Sequence, residues 1–256
     1  MAYNLNNKLV IAISSRALFD LEEENHIFEK DGLEAYYKYQ LENEDKPLKK
    51  GTGYRLVENL LRINSFFSKD EKEVEVIILS KNNAATSLRI TNAINELKLD
   101  IVRSAWTSGT NISNYLKAFK VDLFLSADDN DVLNAIENGV AAAKILHSNE
   151  NIHNISNEQV RIAFDGDAVL FSEESELVYK NHGLEAFIEH EKENRNNPLE
   201  MGPFAKLLLT IAKIQAKFPT EESPIRTALV TARSAPTHER VIKTFNVWGV
   251  RVDEAF

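Results

Sequence analysis

A chain of 256 residues, 43% hydrophobic and 27% charged, is long enough for one large or two modest cores. Its net charge of -9 excludes generic attraction to nucleic-acid polymers or anionic membranes, so a phosphorylated ligand needs cations or backbone N–H groups supplied locally. Cysteine is absent, which excludes disulfides and thiolate metal sites and fits a reducing compartment.

In chain order, the first apolar run is Leu9–Ile13, too short for a signal peptide or a membrane span and read as a buried strand. The expected localisation is therefore cytoplasmic. A polar, helix-rich insertion follows. Next come a second strand at Val74–Leu79, a helix at about Ala84–Leu97 and a third strand at Leu99–Val102. Further on, a strand at Val121–Leu125 and a helix at about Asp131–Lys144 are predicted, then the polar segment HSNENIHNISNEQ. The order then restarts: strand Ile162–Phe164, a second helical insertion, strand Thr227–Val230, helix Ala235–Trp248 and strand Val250–Val252. Ser172 before Glu173-Glu174 reads as a helix N-cap with acids in the first turn. Uninterrupted apolar strands alternating with amphipathic helices predict an α/β fold, a parallel sheet with helices on both faces.

The restart is a repeat. With a fixed offset of 151 residues, KDGLEAYYKYQLENEDKPLKKG lies over NHGLEAFIEHEKENRNNPLEMG, and VIILSKNNAATSLR over TALVTARSAPTHER. The register needs no gap from residue 10 to residue 105, and about two dozen pairs are identical. The sequence thus predicts a tandem duplication, with domains at 1–150 and 151–256. The second copy stops at Phe256, opposite Ala105, so the counterpart of residues 106–146 is absent from it and the second domain is expected to be incomplete.

The strand at Ile162–Phe164 runs into Asp165-Gly166-Asp167. Carboxylates at i and i+2 of an extended segment project to one side, and ligands of parallel sheets gather at the carboxyl ends of strands. By itself the tripeptide reads as a turn in which Asp and Gly serve backbone geometry. Thr231 and Arg233 follow the next strand, and each has its own ordinary role, an N-cap or a surface ion pair. An acid pair, a hydroxyl and a guanidinium at adjacent strand ends are jointly better explained by a phosphate site.

VRIAFDGDAVLF resembles the first signature of the haloacid dehalogenase superfamily, and LVTARSA its second. ALFDLEEEN, GLEAYYKYQLENE and LSADD, with these motifs, closely resemble the cytosolic type I 5′-nucleotidases from about residue 8 to residue 256. The resemblance implies two haloacid-dehalogenase-like Rossmannoid domains with helical caps. It also implies Mg²⁺-dependent hydrolysis of nucleoside 5′-monophosphates through an aspartyl-phosphate. On that reading Asp165 is the nucleophile and Asp167 the acid/base. Thr231, Gly166 and Arg233 bind phosphate, and Mg²⁺ is held by the Asp165 carboxylate and the Asp167 backbone carbonyl. The insertion from about Phe171 to Phe218 would be the cap, with His182 and His190 at its surface and Phe187 in its core. A phosphatase for another small ester, and an inactive nucleotide-binding fragment, stay open, as does homo-oligomer formation.

In the first copy the matching positions are Ser14, Arg16 and Ser80, so it is expected to be a structural or regulatory platform, with an anion site at Arg16 left open. The lysine and acid pair that complete such sites have first-copy counterparts at about Ile112 and Ser126-Ala127, while Asp128-Asp129 reads as a solvated helix start. The second copy ends before its own, so reduced activity of this chain is expected.

Overall fold

The computed structural model describes residues 4–146, 158–233 and 237–256. It divides into two compact units, Met1–Asn157 and Glu158–Phe256. The expected boundary at 150/151 lies outside the described residues, as do Ser234 and Ala235 of the second motif.

The main sheet of unit 1 has five strands: β1 (Leu9–Ile13), β2 (Val74–Ser80), β3 (Arg103–Trp106), β4 (Leu123–Ser126) and β5 (Ala142–Lys144). They form one parallel sheet in the order β3-β2-β1-β4-β5. Every residue of β1 and β2 is buried, as central strands covered on both faces require. Glu75 tolerates burial in β2 because Arg103 of β3 pairs with it. Val10, Ile77, Leu116 and Phe124 belong to one buried cluster in this unit. Its longer helices are α1 (Glu22–Glu42), α2 (Tyr54–Arg62), α3 (Leu88–Glu96), α4 (Ser113–Ala118) and α5 (Asp129–Glu137). Asp128 caps α5, its side chain accepting from Asp131 N.

Unit 2 has three parallel strands, β6 (Val160–Asp165), β7 (Ile225–Val230) and β8 (Glu254–Ala255), in the order β8-β7-β6. Its helices are α6 (Glu174–Glu193), α7 (Ala205–Gln215) and α8 (His238–Trp248). Phe171, Phe245 and Trp248 pack ring against ring in its core. Among the described residues β6 lies at the edge of its sheet, and Arg161, Ala163 and Asp165 are exposed on it. β1, by contrast, is flanked by β2 and β4.

Several expectations are corrected. Leu99–Val102 and Val250–Val252 are not strands; the strands begin four residues later, at Arg103 and Glu254. Leu99 instead closes the end of α3, its N–H bonding to Ile94 O. The helix expected to reach Lys144 stops at Glu137, because Gly139 turns left-handed at φ 73° and the chain re-enters the sheet as β5. Ser172 does not cap α6. Its Oγ is buried without a partner and Glu173 stands at the N-cap.

Residues 151 apart do the same work in the two units. Gly32 (φ 86°, ψ -175°) and Gly183 (φ 83°, ψ -177°) break α1 and α6 at a conformation open to glycine almost alone. Gly51 and Gly202 sit where a Cβ would meet backbone at 2.7 Å and 2.3 Å. Gly202→Ala is expected to lower the denaturation midpoint of the chain sharply, since the atom it would strike is the Phe171 carbonyl oxygen, which cannot swing aside. A urea titration against the parent chain checks this.

Candidate active site

Asp165 is the last residue of β6 and pairs in register with Val230, the last of β7. Its side chain is exposed and makes no hydrogen bond or ion pair with any described residue. After it the chain turns at once. Phe171 N–H bonds back to Gly166 O at 3.0 Å, and Ala168 takes the left-handed region at φ 59°. A non-glycine residue held there costs on the order of 1 kcal/mol, so packing and the Phe171 bond over-determine the turn. Gly166 is buried against Thr231; a Cβ on it would lie 3.4 Å from Thr231 Oγ1.

The turn brings Asp167 to Thr231 and Arg233. Thr231 Oγ1 donates to Asp167 Oδ2 at 3.4 Å and accepts from Arg233 N at 3.2 Å. Arg233 grips the same carboxylate: Nε donates to Oδ1 at 3.0 Å and to Oδ2 at 3.1 Å, and Nη2 donates to Oδ1 at 2.6 Å. Its third nitrogen, Nη1, bonds Glu191. With its side chain 1% exposed, Arg233 has no face turned to solvent for a phosphate. The expected phosphate contact thus gives way to an internal clamp on Asp167, because the nearest anions are the protein's own carboxylates. Burial alone would lower the Arg233 pKa; Asp167 and Glu191 outweigh it and hold the guanidinium above its ordinary value.

Glu191 went unnoticed in the sequence, and it organises this side of the unit. Its side chain is fully buried at the end of α6, where Ser175 Oγ donates to it at 2.8 Å and Arg240 Nη1 at 3.0 Å. Arg240 also donates Nε to Asn197 O at 2.8 Å. Phe187 lies half-buried beneath Arg233, with its ring centroid 5.3 Å from Cζ, which makes it more a support for the cation than a core residue. His182 is exposed as expected, whereas His190 is partly buried against Glu174 at 3.1 Å.

Unit 1 holds a shifted version of this cluster. Arg89, 151 residues before Arg240, donates Nε to Lys46 O at 3.0 Å and pairs with buried Glu24. Gln40 stands where unit 2 has Glu191, and Asn82 where it has Arg233. Asn82 Oδ1 accepts from Tyr36 OH at 2.8 Å, and that hydroxyl accepts from Gln40 Nε2 at 3.0 Å. At these two positions the acid and the arginine are both present in unit 2 and both absent from unit 1. This joint change across the offset is the signal that marks Glu191 and Arg233 as partners.

A carboxylate without a partner among the described residues, beside a clamped carboxylate and a hydroxyl at the carboxyl ends of adjacent parallel strands, is an arrangement suited to nucleophilic attack on a phosphoryl group. A family model described as 5′-nucleotidase matches residues 1–256, and the chain belongs to the 5′-nucleotidase family. It is similar to human cytosolic 5′-nucleotidase 1B, with 37% identity over 258 aligned residues covering 97% of this chain. The chain spans 42% of that relative's length. No solved structure matches. Among the described residues no helix is long and apolar enough to cross a membrane.

Proposed function

We propose that unit 2 carries the phosphoryl-transfer site of a 5′-nucleotidase that hydrolyses nucleoside 5′-monophosphates to nucleoside and phosphate. The observation that carries this reading is Asp165: exposed, unpartnered among the described residues, and at a strand end beside Asp167 and Thr231 in a chain of this family. An Asp165 oxygen attacks phosphorus, the P–O5′ bond breaks, and the leaving oxygen takes a proton from Asp167. Water then attacks the aspartyl-phosphate, returns a proton to Asp167 and frees phosphate. Thr231 Oγ1 and the Gly166 N–H serve the phosphoryl oxygens. Both Asp167 oxygens are engaged by Arg233, so acid/base work requires the carboxyl group to turn from the guanidinium toward the substrate. Arg233 is therefore a positioning residue.

The donor set fits Mg²⁺ in part. The Asp165 carboxylate and the Asp167 backbone carbonyl are hard oxygen ligands, and no group of three His, Asp or Glu suited to a metal occurs among the described residues. Those two oxygens would hold Mg²⁺, a hard cation that takes oxygen ligands and keeps several waters when few come from protein. When bound, the ion would neutralise charge on the phosphoryl oxygens.

The matched geometry at residues 151 apart supports a tandem duplication in which unit 1 has lost the catalytic carboxylates, Ser14 and Arg16 standing opposite Asp165 and Asp167. The edge position of β6 and the clamp on Asp167 favour a second reading, in which this chain binds nucleotide without turning it over. Phosphate release from nucleoside monophosphates and sugar phosphates, with Mg²⁺ or with a chelator, separates the two. Mg²⁺-dependent release restricted to the nucleotides is expected. Equal release from sugar phosphates points to a general phosphatase, and binding without release to the second reading.

A further inference from the structure

Unit 1 contains a cavity of about 550 Å³ at the carboxyl ends of β1, β2 and β4. The strand order reverses between β1 and β4, and that is where open parallel sheets take ligands. The volume is that of a small-molecule site. Its floor is hydroxylic: Ser15 Oγ and Ser80 Oγ lie 3.0 Å apart, and Ser126 Oγ donates to Ser14 Oγ at 3.4 Å. One wall comes from α1, where Phe28 and Tyr36 meet edge to face at 6.0 Å with Leu33 alongside. Phe28 and Leu33 are 48% and 64% exposed, apolar surface left at the mouth of a cavity. Asn82 faces the same space, and its buried Nδ2 has no hydrogen-bond partner among the described residues.

The charges decide what such a cavity takes. Two cations line it, and both are already matched: Arg16 with Glu22 at 2.8 Å and Lys81 with Asp131 at 2.6 Å. Glu24, Asp128 and Asp131 also line it. A phosphate would have to break one of these pairs and then face the released carboxylate, a cost a neutral ligand avoids. An aromatic and aliphatic wall facing hydroxyl and amide groups suits a planar base joined to a polyhydroxylated sugar.

We propose that this cavity binds an uncharged nucleoside, at a site separate from Asp165 and independent of the phosphoryl-transfer reading of unit 2. Isothermal titration of the 256-residue chain with adenosine, guanosine, cytidine and uridine, and with AMP and inorganic phosphate, tests it. Because unit 2 is proposed to take AMP, the readout is the part of each titration that Phe28→Ala weakens, and in that part at least one nucleoside is expected to bind more tightly than AMP or phosphate. Phe28→Ala, at an exposed position that leaves the core intact, should weaken that binding about tenfold, the usual loss for an aromatic base support. Leu33→Ala should weaken it in the same direction. Tyr115→Ala, an exposed ring outside the cavity, and Asp165→Asn in unit 2 should leave it unchanged. No binding by any nucleoside, nucleoside binding indifferent to Phe28 and Leu33, nucleoside binding lost in Asp165→Asn, or Phe28-sensitive binding that is tighter for AMP or phosphate than for every nucleoside would each overturn the proposal.

Discussion

Asp165→Asn is expected to reduce Mg²⁺-dependent phosphate release by about a thousandfold or more, the scale on which removing a nucleophile acts. The substitution keeps the shape of the side chain and removes the charge that, on the proposed mechanism, attacks phosphorus. Asp165 is exposed and has no partner among the described residues, so its loss breaks no internal contact. Stability should stay within about 0.5 kcal/mol of the parent. A large fall in release with an unchanged denaturation midpoint separates chemistry from folding. Release that survives Asp165→Asn would remove Asp165 from the nucleophile's role. Asp167→Asn is a weaker diagnostic, because it also breaks the clamp that seats Arg233.

The second large effect concerns stability. Glu191→Ala leaves two buried guanidinium groups, Arg233 and Arg240, short of the carboxylate they share. Removing one member of a buried ionic cluster costs about 3–5 kcal/mol, because desolvation of the remaining charges is no longer offset. The urea midpoint is expected to fall accordingly, and release with it, since Arg233 then holds Asp167 alone. Unit 1 suggests the rescue. Its acid stands at Glu24, the position of Ser175, with Gln40 at that of Glu191. Ser175→Glu added to Glu191→Gln should therefore recover part of what Glu191→Gln alone loses. A double-mutant cycle showing no coupling between the two sites would refute this account of the cluster.

Much of the fold was readable because its central strands are continuous apolar runs. LVIAI and VEVIILS announce β1 and β2, and both are buried throughout. Edge strands announce less. β3 is RSAW and β8 is EA, only partly buried or exposed, and the apolar residues just before each drew the expectation upstream to the turn that leaves the helix. The Asp165 end of the site was legible for a local reason, since a strand and a turn place Asp165, Gly166 and Asp167 within three residues of one another. Thr231 followed from the neighbouring strand. The fate of Arg233 did not. Whether a guanidinium meets phosphate or a carboxylate depends on Glu191, which is 42 residues away and lies in what reads as a solvated helix. Long-range charge balance leaves no local pattern, only the paired exchange of Gln40 and Asn82 for Glu191 and Arg233.

That exchange also limits how either unit can drift. A glutamate placed at Gln40 would bury a second acid beside Glu24, with Arg89 alone to answer it. An arginine placed at Asn82 would displace the Tyr36 hydroxyl and find no acid at Gln40 to meet it. Each single change leaves an unbalanced interior charge, at a cost of about 3–5 kcal/mol to a domain of marginal stability. In either unit an acid and a base exchanged together are therefore expected to cost less than either change made alone.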